Sequence, residues 1–268
     1  MSILSEIADK TIERIAAEKN IRPLSEIRSE AEAKAKEGII PENPAEYFFN
    51  KALRKNKMNF ICEVKKASPS KGLIAPDFPY LQIARDYEAA GAAAISCLTE
   101  PFWFKGEDRF LEEIAATVNI PIIRKDFTVD EYMIYQAKLM GASAVLLICA
   151  ILSKEQLAEY QAIAHSLGLS ALVETHDEAE VEMALGAGAQ IIGVNNRNLK
   201  DFTVDIGNSV RLRQLVPPEI TFVSESGMKT AEDIGVLCDN GTNAVLIGET
   251  LMRAENKGEK LAELRKYC

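Results

Sequence analysis

From Phe60 onward the chain alternates between short apolar runs and longer amphipathic stretches. Apolar, β-branched runs fall at 60–65, 94–99, 121–125, 144–148, 170–174, 190–195, 220–226 and 244–248, each short enough to be a buried strand. Between them, residues 80–90, 107–118, 131–140, 154–167, 177–185, 206–215 and 230–240 show helical periodicity. Several of these helices end in a glycine followed by a small residue: Gly91-Ala92, Gly141-Ala142, Gly188-Ala189 and Gly241-Thr242. Glycine takes the left-handed cap conformation, and the small neighbour lets the chain turn back into a strand. Eight such units, with no Gly-x-Gly-x-x-Gly after the first strand, predict an α/β fold, a (β/α)8 TIM barrel over 60–268, rather than an open doubly wound sheet.

Residues 1–59 follow a different rhythm and predict an N-terminal helical extension within a single domain of 1–268. Ile3, Leu4, Ile7, Ala8, Thr11, Ile12 and Ile15 form one helical face, which Pro23 interrupts. A second helix is expected over 24–37, stopped by Gly38, and a third after Pro44 with Tyr47, Phe48, Ala52 and Leu53 as its apolar positions. Amphipathic helices of this kind exist to pack, so the segment is expected to cover one end of the barrel.

Composition narrows the function. The 268 residues carry a formal net charge of −9, which opposes binding to nucleic acid. The longest apolar run, 144–152, is too short to span a membrane. Charged residues from Glu6 onward break up any signal-peptide core. Cys62, Cys97 and Cys149 lie in strand-like runs and read as core residues of a reducing compartment, so a cytoplasmic location is expected.

The strand ends hold the candidate chemistry. They finish in Glu63/Lys65, Thr99/Glu100, Lys125/Asp126, Glu174, Asn195/Asn196, Ser224/Glu225/Ser226 and Gly248/Glu249; the fourth strand alone ends apolar, at Leu146-Leu147-Ile148. In a parallel barrel these ends converge on the rim where such folds place their active sites. Alternation puts Glu63 and Lys65 on one face, roughly 7 Å apart, and aims Lys125 opposite to Arg124. Two ammonium groups in one pocket lower each other's pKa, which predicts a lysine general acid working near neutral pH. Glu174 reads as a base or as a partner for either lysine, and Asn195 as an amide that fixes a hydroxyl or carbonyl. Arg197 suits a carboxylate or phosphate. Ser226-Gly227 and Gly248-Glu249 close the last two strands, where barrels often bind phosphate through backbone N–H groups; the Glu249 side chain must then point away. Trp103 is expected either to pack the barrel top or to stack on an aromatic substrate. His165 reads as a surface or cap residue, and His176 lies near the rim. No cluster has metal-ligand spacing, and no metal or cofactor is expected.

These residues resemble a known family, the indole-3-glycerol-phosphate synthases of tryptophan biosynthesis. The resemblance rests on Glu63-Val-Lys-Lys-Ala-Ser-Pro-Ser-Lys-Gly72, Ile95-Ser-Cys-Leu-Thr-Glu100 with Phe104-Lys-Gly106, and Arg124-Lys-Asp-Phe127. Further stretches are Phe49-Asn-Lys-Ala-Leu53, Leu172-Val-Glu174, Gly193-Val-Asn-Asn-Arg-Asn-Leu199, Ser224-Glu-Ser-Gly227 and Leu246-Ile-Gly248. It implies ring closure of 1-(2-carboxyphenylamino)-1-deoxyribulose 5-phosphate with loss of carbon dioxide and water. Lys125 would be the general acid at the ribulose carbonyl. Lys65 would sit by the substrate carboxylate and be a candidate acid for dehydration, and Glu174 would take the ring proton or balance the lysines. Glu63 and Asn195 would orient the lysine and the substrate hydroxyls, with Ser226 in the same polar network and Glu225 behind it. Phosphate would lie against Ser68, Gly227, Gly248 and the N–H of Glu249, and Phe104, Phe127, Leu146 and Leu199 would form the wall for the anthranilate ring. The partner implied is a small phosphorylated substrate, with the chain a monomer or weak homodimer. Two alternatives compete with this reading. A phosphoribosylanthranilate isomerase-like barrel needs a cysteine and an aspartate as its acid–base pair, which no strand end here offers. A non-catalytic phosphosugar-binding protein has no need of Glu63, Lys65, Lys125 and Glu174 together.

Overall fold

The computed structural model describes residues 3–198 and 201–268. Eight parallel strands close into a barrel: β1 (Asn59–Val64), β4 (Ala94–Leu98), β5 (Ile122–Lys125), β6 (Ala144–Ile148), β7 (Ser170–Thr175), β8 (Ile191–Asn195), β9 (Thr221–Glu225) and β10 (Ala244–Ile247). The remaining two strands, β2 (Ala67–Ser68) and β3 (Gly72–Leu73), form a small antiparallel hairpin in the loop after β1. Each barrel strand pairs in parallel with its sequence neighbours, and β1 closes the ring against β10. The TIM-barrel expectation holds, and the strand limits fall within a residue or so of those expected from the apolar runs.

The outer layer comprises α4 (Tyr80–Ala89), α5 (Asp108–Ala115), α6 (Glu131–Leu139), α7 (Lys154–Ser166), α8 (Glu178–Gly186), α9 (Gly207–Arg213), α10 (Ala231–Asp239), α11 (Glu249–Met252) and α12 (Lys257–Leu264). Starts are fixed by side-chain caps: Asp130 accepts from the N–H of Tyr132, and Ser153 and Thr230 form capping boxes with Gln156 and Asp233. Among the described residues no helix is long and apolar enough to cross a membrane.

The barrel interior is graded along its axis. Alternate positions point inward, and at the N-terminal end these are Ile61, Ala94, Ile123, Ala144, Leu172, Ile191, Val223 and Ala244, packed as one buried cluster. One or two steps further along, the same inward set becomes Glu63, Lys125, Glu174, Asn195 and Glu225 on five strands, while β6 keeps Leu146 and Ile148. The apolar layers supply the core, and the last layer is polar because it faces a cavity.

The N-terminal segment forms α1 (Ile3–Ile21), α2 (Leu24–Lys36), a short 3-10 turn at Pro44–Glu46 and α3 (Phe48–Ala52). It does not cover one end, as expected, but reaches both. Phe49 and Leu53 join the N-terminal cluster of the barrel, and Asn50 Oδ1 accepts from Thr221 Oγ1 at 2.6 Å. At the opposite rim, Ile3, Leu4 and Ile7 of α1 line the cavity. Between the ends, α2 lies on α6, where Arg28 Nε donates to Tyr135 Oη at 2.8 Å. In α3 the buried aromatic is Phe49, whereas Phe48, expected inside, is 56% exposed. In α1, Ile12 also points outward.

Candidate active site

A cavity of about 840 Å³ opens at the C-terminal rim. Its wall includes Glu63, Lys65, Ser68, Phe104, Lys125, Phe127, Leu146, Glu174, Asn195, Arg197, Glu225, Ser226, Gly227, Gly248 and Glu249, so these sequence-predicted positions converge. Leu199 lies outside the described residues.

Two lysine–carboxylate pairs form the floor. Lys65 Nζ is paired with Glu63 Oε1, and both side chains are largely buried. Lys125 Nζ lies 3.2 Å from Glu174 Oε2 and 3.8 Å from Glu225 Oε2. Register explains the second group, because Glu174 on β7 sits beside Gly193 of β8, and Asn195 of β8 beside Glu225 of β9. Asn195 Nδ2 donates to Glu174 Oε1 at 3.3 Å, and Asn195 Oδ1 accepts from the N–H of Arg197 at 3.1 Å.

The electrostatics correct one expectation. Burial works to lower the pKa of Lys125, but the charges of Glu174, Glu225 and Glu63 outweigh it, and the pKa is raised. Lys125 is therefore not an ammonium weakened by its fellow lysine; it is a firmly protonated group ringed by carboxylates. The carboxylates divide in turn. Burial pushes the pKa of Glu174 up, but Lys125, His176 and the Asn195 hydrogen bond overcome this and hold it below the usual value. Burial and the adjacent Glu174 charge push Glu225 up to about 8, against the pull of Lys125. Two coupled carboxyl groups driven apart in this way provide one ionised base and one proton carrier at neutral pH. Glu225, almost fully buried, lines the cavity together with Ser226.

Other rim residues take structural parts. Glu100 accepts from the N–H groups of Phe102, Trp103 and Phe104 at 2.8–2.9 Å, which folds the loop that presents Phe104. Trp103 packs on the interior cluster and does not line the cavity. Asp126 accepts from Arg14 of α1 at 2.9 and 3.0 Å and from Thr99 Oγ1 at 2.7 Å. Asn196 is bound into a buried network with Ser224, Ser209 and the Ser226 carbonyl. His165 sets its ring edge-on to Tyr47, with centroids 5.6 Å apart. Ser226 adopts φ of 66° and Gly227 of 99°, a left-handed pair that turns the chain sharply at the rim.

The same cavity has an apolar part. Phe104 and Phe127 lie 6.2 Å apart, with Leu146, Ile148 and α1 completing the slot. Elsewhere on the rim, Glu249 Oε1 accepts from Arg253 Nε at 3.0 Å, and both residues stand on the cavity wall.

Sequence reading missed two kinds of residue. Lys71, Lys229 and Arg253 add positive charge to the cavity wall but stand on loops and a short helix, away from the strand ends. Gly193 is the other kind, and Gly248, expected as a phosphate contact, has the same further part. A Cβ on Gly248 would overlap Glu63 Oε1 and lie 2.7 Å from Lys65 Nζ, and one on Gly193 would overlap Glu225 Oε1. Both glycines make room for charged side chains of the cavity floor, a requirement visible only once the strands are in register.

A model of the family described as Indole-3-glycerol phosphate synthase matches residues 4–264. The chain is 55% identical over 263 residues to the curated indole-3-glycerol phosphate synthase of Ruminiclostridium cellulolyticum, covering 98% of each chain. It is 52% identical to the one from Endomicrobium trichonymphae, covering 98% of this chain and 99% of that one. Among solved structures, a thiamine phosphate pyrophosphorylase from Pyrococcus furiosus superposes with a TM-score of 0.59 at 18% identity, covering 79% of this chain and 96% of that one. That likeness concerns the barrel alone. With a family match over nearly its whole length and relatives above half identity, the chain belongs to the indole-3-glycerol phosphate synthase family.

Proposed function

We propose that the protein closes the indole ring of 1-(2-carboxyphenylamino)-1-deoxy-D-ribulose 5-phosphate, releasing carbon dioxide and water, with Lys125 as the first acid. The observation that carries this reading is that Lys125, held by Glu174 and Glu225, shares one cavity with the apolar residues Phe104, Phe127 and Leu146. An aromatic ring in that slot places its nucleophilic carbon and the ribulose carbonyl over the ammonium. As carbon attacks carbonyl, negative charge grows on the oxygen, and a proton held among carboxylates passes to it. The raised pKa of Lys125 keeps that proton in place until the alkoxide-like oxygen is basic enough to take it.

Loss of carbon dioxide then needs no acid, because the electrons flow into the iminium formed by ring closure. Lys65, beside Glu63, binds the substrate carboxylate and serves the dehydration. Glu174 takes the ring proton, and Asn195 orients Glu174 and the substrate hydroxyls. Ser226 and Glu225 complete the polar floor. Phosphate lies against Ser68, Gly227, Gly248 and the N–H of Glu249, with Arg197 and the cationic wall residues Lys71, Lys229 and Arg253 nearby; Leu199 is proposed for the apolar wall. A cytoplasmic monomer or weak homodimer fits a site whose groups all come from one chain.

The test is single-turnover fluorescence with the carboxyphenylamino-deoxyribulose phosphate. Wild type should develop indole fluorescence, and Lys125→Ala should lose at least about 10³-fold in rate, about 4 kcal/mol of transition-state stabilisation. Near-intact turnover in the variant would move the first acid to Lys65. No product from folded wild type would leave a phosphosugar-binding protein.

A further inference from the structure

One imidazole reaches the site from behind. His176 follows β7 by a single residue, and its backbone N–H donates to Glu180 Oε2 at 2.8 Å while its Nδ1 lies 3.0 Å from the same oxygen. The N–H of Glu180 donates in turn to Asp177 Oδ1 at 2.9 Å, and Asn208 Nδ2 donates to the His176 carbonyl at 3.0 Å. With one nitrogen held by the first turn of α8, the other faces Glu174. His176 Nε2 is buried, 3.5 Å from Glu174 Oε1, and has no hydrogen-bond partner among the described residues. That oxygen also receives Asn195, while Oε2 faces Lys125.

Resting on the reaction proposed above, we propose that His176, clamped by Glu180, is a positioning residue whose imidazolium holds Glu174 as a fixed, ionised base. The groups acting on the ring are Glu180 of α8, Glu174 of its own strand and Glu225 of β9. Burial disfavours the cation, but these three carboxylates outweigh burial and raise the His176 pKa. The need for such a group follows from the mechanism. Lys125 is the nearest cation to Glu174, and its charge disappears when it gives up its proton. His176 is the cation that remains on Glu174 at that moment, and it stops the carboxylate from recapturing a proton before the ring proton is due.

The chain has only two histidines, so imidazole NMR of the full-length enzyme resolves the question directly. His165→Gln assigns the signals. The His176 resonance should titrate above the ordinary imidazole value of about 6.5, and it should move down in both Glu180→Gln and Glu174→Gln. Titration at or below the ordinary value, or indifference to Glu174→Gln, overturns the proposal. In turnover, His176→Asn should move the acid limb of kcat/KM up by about one pH unit, the scale on which a neighbouring charge shifts a carboxylate. Its rate should approach wild type above pH 8, and kcat should change more than KM. An equal loss at every pH would mean that His176 only fills space. Should His176→Asn fail to fold, Glu180→Gln carries the same pH test. If wild type makes no product, the reaction is wrong, and the NMR titration still decides whether His176 holds Glu174.

Discussion

Gly248 shows how a site can depend on an atom that is absent. Its missing Cβ leaves the space that Glu63 Oε1 and Lys65 Nζ occupy. Both neighbours are the far ends of flexible side chains, so Gly248→Ala should fold and displace the pair instead of breaking the barrel. The expected result is at least about a tenfold fall in kcat/KM, with Tm within about 4 °C of wild type, the scale of 1 kcal/mol or so for a chain of this size. Steady-state kinetics and a thermal melt on one preparation check both halves, and a barrel that unfolds outright would show the crowding to be structural. The sequence placed this glycine in a phosphate turn because turn chemistry is local. The crowding around it arises from β1 meeting β10, two segments far apart in the chain. Lys125 teaches the same lesson. That it faces the cavity was legible from the alternation with Arg124, but its three carboxylate neighbours come from β1, β7 and β9, and no spacing in the chain records that convergence.

At the scale of elements, the strands were legible because each apolar run is bounded by a cap or a turn and its burial is nearly continuous. The N-terminal helices were legible as helices, but their docking was not. A helix of five residues such as α3 is too short to fix its own phase, and one residue turns a side chain by roughly 100°, so periodicity alone does not tell Phe48 from Phe49 as the buried ring. The role of α1 depends on a contact across the fold, in which Arg14 Nη2 donates to both oxygens of the fully buried Asp126, next to Lys125 in the chain. Arg14→Ala leaves that carboxylate to Arg124, Thr99 and the N–H of Phe127 and should cost roughly 2–3 kcal/mol, seen as a Tm lower by about 5–10 °C. Leu4 and Ile7, by contrast, line the cavity from the same helix. Replacing both with serine should raise KM several-fold and change kcat less, since they offer surface to the bound ring and take no part in proton transfer. An unchanged KM would reduce α1 to a brace for Asp126.

At the scale of the whole molecule, the site is costly to the fold that carries it, and pH exposes the cost. Glu225 has a folded pKa of about 8, whereas an unfolded glutamate titrates near about 4.3. Between those values the folded protein holds a proton that the unfolded chain has released. Stability from this group is therefore complete below the lower value, falls as pH rises through the window and levels off above the upper one. Glu174 and Asp126, with lowered pKa values, act in the opposite sense, but their contribution is lost only as pH falls through their folded values, at the acid edge. His176, raised, loses its contribution as pH rises, in the same sense as Glu225, and is unaltered in a Glu225 variant except through their mutual charge. Glu225→Gln keeps the shape and removes the titration. Calorimetric melts at pH 5, 6.5 and 8 should show a difference in Tm between variant and wild type that grows in the variant's favour with pH, while product formation falls. A difference that is constant across the series would mean that Glu225 titrates like an exposed glutamate, and the division of labour between it and Glu174 would have to be abandoned. A growing difference would mean that the barrel gives up stability at neutral pH to keep a protonated carboxyl group beside the ammonium of Lys125.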